Sequence, residues 1–571
     1  MNKTIYALVL IFFCSLISYA QIRNFEKHAD SLFKTWDNEN QPGGAATVIK
    51  DGKIIYLKGF GSANIETNLS ISTQTKFQLG ELSKQFTTLA ILLLLEEGKI
   101  SSNDDIRKYL IEFPKYEHII TINHLLNHSS GLYDINRVNY MVNGCMTITT
   151  QSKALKLIAS QKQLSYQPGT YFSFHESITE SVLMAEIVAR SSGQSFADFV
   201  KTNIFEPLEM RHSVVRDNSN AILNNVAQPY QKGDGEDYKK LEVISSVVGA
   251  INVYSSAEDL AKWYLNYTNP QGKIGRLIQR LDTPVQLDNG KTFVYYWGEM
   301  AIGREFAHPE RGLPIFWNYG LQGGYGTNVF RYIDQNIISF ALGNSNQYNG
   351  ALAQGVLSPL VENLYTEPAM INFKAKKIKK LSTKKLKTFE GHYWFKEGYA
   401  SELFVENDTL RTKWLFSPKN RYQTLVPLAD DTFQQYAKME ANRIFRFKKE
   451  GKDTTLFFTF NKSRADIMER YEPVNLSLKE LQPYAGTYYN KEYGSLFSFS
   501  IKDGKLIANN FNHNDITLRP VKKDVFTSTS MFFNALKFLR HKSGEIIGFS
   551  MVTDGIHNLI FEKIAATNSN Y

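Results

Sequence analysis

The sequence predicts a multidomain α+β protein, with helices and antiparallel strands mixed in the first two thirds and an all-β final third. Its 571 residues exceed what one hydrophobic core usually supports. Helical periodicity alternates with strand-like runs up to about residue 366, and short alternating strands separated by turns dominate beyond it. Apolar residues make up 43% and charged residues 21% of the chain, so neither a disordered chain nor a membrane bundle is favoured.

The N-terminus has the pattern of a signal peptide. Lys3 precedes an apolar run over residues 5–17, which is too short to span a bilayer comfortably, and Ala20 ends a small-x-small cleavage site. We therefore expect residues 1–20 to be removed and the mature chain to be exported, periplasmic or secreted, without a transmembrane segment. Cys145 is then its only cysteine, so no intrachain disulfide is expected.

The net charge of +9 is modest for this length and partly local, because residues 373–387 contain eight lysines. Nucleic-acid binding would need basic residues interleaved with stacking aromatic side chains, and the sequence has no such array. The lysines instead predict a solvated basic linker over residues 367–380.

A hairpin and two helices are predicted near the start of the mature chain. Residues 22–36 have helical apolar spacing, and an Asp-Gly turn at residue 52 joins two β-rich runs. Apolar spacing over residues 81–97 predicts a well-buried helix that ends at Gly98. Residue 81 is then a helix start, where backbone N–H groups favour negative charge.

Two further segments stand out before residue 345. His124 and His128 are four residues apart on a helical segment, a spacing that could hold a metal. No nearby carboxylate completes the signature, and we expect a structural role.

A glycine-rich stretch over residues 318–327 leads into two strands that we expect to pair, at residues 328–333 and 337–342.

Residues 22–365 resemble the family of serine β-lactamases, D-alanyl-D-alanine carboxypeptidases, D-aminopeptidases and related esterases. Six segments stand in the family's order, at residues 77–87, 121–132, 168–188, 204–210, 249–263 and 318–344. The resemblance implies an antiparallel sheet flanked by helices, a mostly helical subdomain, and an active site between them.

The tail contains a repeat, because residues 381–393 align with residues 476–488 at an offset of 95 residues. Each copy is long enough for about eight short strands, which would close as a small barrel without free edges. This layout is similar to that of D-aminopeptidases. The predicted domains are a β-lactamase-like domain over residues 21–366, the linker, and barrel-like repeats over residues 381–474 and 475–571.

The resemblance implies a serine nucleophile and a lysine three residues later, which are neighbours on a helix face. This sequence has Glu81 and Lys84 at those positions. A carboxylate cannot form the usual stable acyl ester, and beside an ammonium group we expect an ion pair. Ser83 points about 200° around the helix from residue 81, so we expect it to pack or cap.

The family's second and third elements also differ. The tyrosine or serine that relays protons is replaced by Phe174, and the third residue of that loop is Glu176. In the third element Asn318 stands where a lysine or histidine is usual, followed two residues later by the retained Gly320. Losing the nucleophile alone would lower acyl-transfer activity by a factor on the order of 10⁶.

These departures predict a non-hydrolytic binding or regulatory relative that holds a peptide, cell-wall fragment or small molecule. The alternative is an active hydrolase of D-amino-acid peptides, esters or β-lactam-like amides, with Glu81 as base or nucleophile and Glu176 as a second carboxylate. A third hypothesis makes the tail the functional part. Glu81, His175 and Glu176 could converge on a metal, but a salt-bridged inactive site is favoured, so neither metal nor cofactor is expected.

Overall fold

The computed structural model describes most of the chain. The described residues are 23–172, 177–233, 235, 237–295, 298–366, 378–395, 399–414, 422–435, 443–450, 453–460, 466–530, 532–553 and 555–564. They form two compact units, each assembled from separate segments. The first unit takes its described residues from 23–101, 184–284 and 300–366, and the second from 102–183, 285–299 and 378–564. The signal-peptide prediction and most of the predicted linker lie outside the described residues.

Thirteen α-helices are present in the described ranges. They are α1 (residues 23–33), α2 (Lys84–Glu96), α3 (Ile122–Leu126), α4 (Ile135–Asn143), α5 (Gln151–Ala159), α6 (Ser177–Ser192), α7 (Phe196–Val200), α8 (Ala257–Thr268), α9 (Gly272–Arg280), α10 (Ala351–Gly355), α11 (Ser358–Val361), α12 (Thr383–Lys387) and α13 (Leu478–Leu481). Within these ranges, none of the helices has the length and apolar character needed to cross a membrane.

The strands before residue 345 are mostly antiparallel pairs. They are β1 (Gly44–Lys50), β2 (Lys53–Phe60), β3 (Ser62–Asn64), β4 (Leu69–Ser70), β5 (Phe77–Gln78), β6 (Val214–Val215), β7 (Tyr230–Lys232), β8 (Tyr238–Lys240), β9 (Val253–Ser255), β10 (Val294–Tyr295), β11 (Gly298–Met300), β12 (Phe306–Glu310), β13 (Leu313–Gln322), β14 (Tyr325–Tyr332) and β15 (Ile337–Gly343). Six strands of the first unit lie side by side in the order β12-β13-β14-β15-β1-β2.

This sheet confirms two predictions made from local sequence. The β1–β2 hairpin turns through Asp51 and Gly52, whose φ angles of 49° and 72° are the positive values that an Asp-Gly turn supplies. The predicted strand pair appears as β14 and β15, which run antiparallel and are almost entirely buried.

The sheet of the first unit is covered on both faces. One face carries a core with α1, α10 and α11, in which Phe33, Val48 and Leu357 are fully buried. The other face is covered by α8, where the rings of Tyr264 and Phe340 lie 5.5 Å apart. Helix α2 is buried on all sides along most of its length, which explains its nearly unbroken apolar sequence.

Two closed eight-stranded barrels follow, which confirms the predicted all-β tail. The first barrel contains β16 (Gly391–Phe395), β17 (Tyr399–Glu406), β18 (Thr409–Trp414), β19 (Tyr422–Pro427), β20 (Thr432–Gln435), β21 (Arg443–Glu450), β22 (Asp453–Phe460) and β23 (Asp466–Tyr471). The second contains β24 (Gly486–Asn490), β25 (Ser495–Lys502), β26 (Lys505–Asn510), β27 (His513–Lys522), β28 (Val525–Thr527), β29 (Ala535–Arg540), β30 (Ile546–Thr553) and β31 (Ile556–Ile564).

The aligned residues of the two repeats have the same roles in the two barrels. Tyr393 is fully buried and its hydroxyl donates to the carbonyl oxygen of Phe389 at 3.0 Å. Its counterpart Tyr488 is also fully buried and donates to the carbonyl oxygen of Tyr484 at 2.8 Å. The 95-residue offset therefore corresponds to a structural repeat.

The second barrel shares its core with the helical segment of the second unit. Val138 and Met141 of α4 belong to the same buried cluster as the barrel's phenylalanine residues. At the C-terminal end of α4, the imidazole of His513 lies 2.8 Å from the carbonyl oxygen of Tyr140. This grouping follows spatial contacts rather than chain order, and the predicted domain boundaries remain a prediction.

Candidate active site

Glu81 lies in a tight turn that precedes α2. Residues 80–83 form one turn of 3₁₀ helix, and the α-helix begins only at Lys84, three residues later than the periodicity predicts. Gly80 enters this turn with a φ of 57°, a backbone conformation that suits glycine. Residues 81 and 84 still fall on one side, because i and i+3 positions also align in a 3₁₀ turn.

Gly320 allows this turn to approach strand β13 very closely. A Cβ atom at Gly320 would lie only 2.1 Å from the carbonyl oxygen of Leu79 and 3.2 Å from the amide nitrogen of Glu81. The absence of a side chain at residue 320 therefore places the Glu81 turn directly over the strand.

The carboxylate of Glu81 binds the backbone of β13. The N–H of Leu321 donates a hydrogen bond of 2.9 Å to Oε2 of Glu81, which is partly exposed. A hydrogen bond to an ionised acceptor is stronger than a neutral one. It replaces the expected ion pair with Lys84, and no ion pair joins these two residues among the described side chains. The two residues also differ in burial, since Lys84 is 1% exposed while Glu81 is partly exposed.

Ser83 faces away from the Glu81 carboxylate, in keeping with its expected packing role. Its hydroxyl oxygen accepts a hydrogen bond of 3.1 Å from the N–H of Val253 on β9. Two further side chains bind the same part of the chain, since Gln78 donates to Asn252 at 2.7 Å and Thr87 donates to the carbonyl oxygen of Gly249 at 2.6 Å. These bonds fix the start of α2 against the β9 segment.

Asn318 is buried, with 2% exposure, on the same face of β13 as Gly320. Its Oδ1 accepts a hydrogen bond of 2.8 Å from the N–H of Tyr319. Its Nδ2 has no hydrogen-bond partner among the described residues. An unsatisfied buried donor costs about 1–3 kcal/mol.

The structure gives no contacts for three of the residues singled out from the sequence. Phe174, His175 and Glu176 lie outside the described residues, and their roles remain predictions. His124 Nε2 lies 3.3 Å from Asp288, and His128 Nδ1 lies 2.8 Å from the buried carboxylate of Glu180. In the described ranges, no group of three or more histidine, cysteine, aspartate or glutamate side chains could hold a metal ion.

Sequence reasoning missed a buried polar network beside Lys84. Gln85 donates to Glu305 at 2.7 Å and accepts from the indole N–H of Trp263 at 2.9 Å, while Arg331 donates to Glu305 at 2.6 Å. Burial opposes the charge of Arg331, but Glu305 and Asp282 outweigh it and hold the pKa of the guanidinium above its ordinary value. Charged residues within apolar segments, here Glu305 and Arg331, could have indicated a buried polar network. The sequence does not show which residues pair, because the partners are far apart along the chain.

The sequence profile of the family described as Beta-lactamase matches residues 26–355, which is more than half of the chain. The chain belongs to the beta-lactamase family. The resemblance drawn from the six motif segments is thereby confirmed, together with the predicted fold.

The chain is similar to proteins with different names. Penicillin-binding protein 4* of Bacillus subtilis (strain 168) is 29% identical over 408 residues, which cover 68% of this chain and 87% of that protein. A D-aminopeptidase of Gluconobacter oxydans (strain 621H) is 26% identical over 263 residues, or 45% of this chain and 48% of that protein. The chain thus spans about half the length of this D-aminopeptidase, as it does of protein flp from Staphylococcus aureus.

A solved structure supports the fold alone. The octameric penicillin-binding protein homologue from Pyrococcus abyssi matches with a TM-score of 0.52 and 23% identity, over 79% of this chain and 99% of that chain. This match covers a larger share of the chain than residues 26–355, so the structural similarity extends beyond the part that the family profile matches.

Proposed function

We propose that this protein is a non-hydrolytic binding or regulatory member of the beta-lactamase family, exported from the cell, whose site holds a peptide or cell-wall fragment. The hydrogen bond between Glu81 and Leu321 is the observation that carries this proposal. Glu81 stands where the family resemblance implies a nucleophilic serine, and a carboxylate offers no hydroxyl for acylation.

The partner of Glu81 strengthens the argument. Acyl-transfer enzymes stabilise the oxyanion of their intermediates with backbone N–H groups aimed at the developing charge. In this chain the N–H of Leu321, one residue after Gly320, already donates to the side chain of Glu81. A substrate oxygen would have to displace that carboxylate, so the site favours binding without acyl transfer.

The proposal is tested by covalent labelling of the purified mature chain with a fluorescent penicillin and a fluorophosphonate. We expect no labelling of the wild type. Glu81→Ser restores the hydroxyl three residues before the buried Lys84, and we expect it to gain labelling with an intact-mass increase of one probe. The double variant Glu81→Ser with Lys84→Ala should lose that gain, because the lysine that activates the serine is then missing.

Stoichiometric labelling of the wild type would overturn the proposal. Glu81→Gln is the matched control, because it keeps the size of the side chain and its oxygen acceptor for Leu321 while removing the charge. It should stay unlabelled, and its melting temperature should report whether residue 81 can be changed without unfolding.

An active hydrolase is the second candidate, supported by the retained Lys84 and by the similarity to a D-aminopeptidase. In that case Glu81 would act as the general base or nucleophile. Release of D-amino acids from short D-peptides, followed by mass spectrometry, distinguishes the two. Turnover that the wild type catalyses and Glu81→Gln lacks would support the hydrolase and reject the binding protein.

A further inference from the structure

We infer that the site recognises an uncharged amide carbonyl, bound by the side-chain amide of Asn318, and discriminates against a free carboxylate. This inference rests on the proposed function, because it names the chemical class of the ligand that the same site would hold.

The orientation of Asn318 is fixed by its backbone neighbour. An N–H can only donate, so the atom that accepts from Tyr319 N–H at 2.8 Å is the amide oxygen. The other end of the side chain is then the NH₂ group, which presents donors. This group has no partner among the described residues although the side chain is 2% exposed, so an incoming acceptor atom would complete it.

A second unpartnered group lies on the adjacent strand. Thr327 of β14 pairs in register with Gly320 of β13, and Asn318 precedes Gly320 by two residues, so all three lie on one face of the sheet. The hydroxyl of Thr327 is fully buried and also lacks a partner among the described residues. An amide offers both an acceptor oxygen and a donor N–H, which complement an NH₂ group and a hydroxyl.

The carboxylate of Glu81 disfavours an anionic ligand beside it. Asn318 is neutral, and the carboxylate of Glu81 is bound three residues further along the same strand, at Leu321. A ligand carboxylate at Asn318 would add a second negative charge along β13, whereas a carbonyl oxygen would not. Because Nδ2 is buried, the ligand must also displace a neighbouring segment. The Glu81 turn is the segment we expect to move, since it is partly exposed and packs against the same face at Gly320.

The test compares two peptides that differ only in the terminal group. N-acetyl-D-alanyl-D-alanine and its C-terminal carboxamide are titrated into the full-length mature protein at pH 7 and followed by calorimetry. We expect the carboxamide to bind at least about tenfold more tightly, the scale of one well-placed hydrogen bond. Asn318→Asp keeps the acceptor for Tyr319 N–H but removes the donors, and should lower carboxamide affinity about tenfold.

Two controls guard the interpretation. Asn218→Asp makes the same change at an exposed residue of the first unit and should leave both affinities unchanged. Asn318→Lys introduces a positive charge and should reverse the preference towards the carboxylate peptide. Melting temperatures of all variants show whether each is folded, and the wild-type comparison needs no variant.

Equal or tighter binding of the carboxylate peptide by the wild type overturns the inference, as does binding of neither peptide or an unchanged affinity in Asn318→Asp. The same samples are analysed by mass spectrometry for cleavage. Cleavage by the wild type rejects the proposed function, and the ratio of the two affinities still decides the inference. Preference for the carboxylate peptide without cleavage rejects only the inference.

Discussion

Gly320 determines how closely the Glu81 turn can approach β13, and replacing it tests that contact. Gly320→Ala would put a Cβ atom 2.1 Å from the carbonyl oxygen of Leu79, which is backbone and cannot rotate away. We expect a loss of about 1–3 kcal/mol in the free energy of unfolding, measured by urea denaturation. The shift of the turn should also break the bond between Glu81 and Leu321.

Gly355→Ala is the matched control for that substitution. Gly355 lies in α10, and its added Cβ would meet only the Leu32 side chain at an ordinary 3.7 Å. Alanine in a helix is favoured over glycine, so this variant should be neutral or more stable. If both variants behave alike, the contact between residues 79 and 320 does not determine the geometry of the turn.

The contacts of the candidate site residues could not be predicted from the sequence. The order of the motifs predicts that Glu81 replaces a serine and that Asn318 replaces a basic residue, and both substitutions remain predictions. The acceptor role of Glu81 towards Leu321 joins residues 240 positions apart, and backbone donors have no sequence signature. The sequence therefore predicts which side chains differ from the family pattern, while only the fold shows what Glu81 and Asn318 contact.

At the scale of elements, α2 is held in place by Gln85, which is fully buried. Gln85→Leu removes the donor to Glu305 and the acceptor from Trp263. Two buried polar groups then lose a partner, and we expect a loss of about 2–4 kcal/mol in the free energy of unfolding. Thermal and urea denaturation measure this change.

Gln74→Leu makes the same substitution where the hydrogen bond is exposed. Gln74 donates to Glu258 at 3.1 Å in contact with water, and its loss should change stability by less than about 0.5 kcal/mol. A similar loss in both variants would mean that the buried network of Glu305 does not anchor α2. The helix itself was predictable from its apolar spacing, but its polar anchors were not, because periodicity reports burial and not partners.

At the scale of the whole molecule, the two barrels were predictable because a repeat leaves its period in the sequence. The grouping of residues 102–183 with the barrels was not, since contacts between distant segments leave no local pattern. Val138 and Met141 could be recognised as apolar residues at helical spacing, but nothing in the sequence assigns them to the core of the second barrel.

This shared core predicts that α4 and the second barrel unfold together. Met141→Asp would bury a carboxylate at a fully buried position, and we expect it to lower the free energy of unfolding by about 3–5 kcal/mol. Amide hydrogen exchange should accelerate both in α4 and in β27, whose His513 contacts the end of that helix. Met146→Asp, at a 36% exposed position just beyond α4, should leave both exchange rates near those of the wild type. Faster exchange confined to α4 would contradict the prediction, because it would show that the barrel keeps its core without the helix.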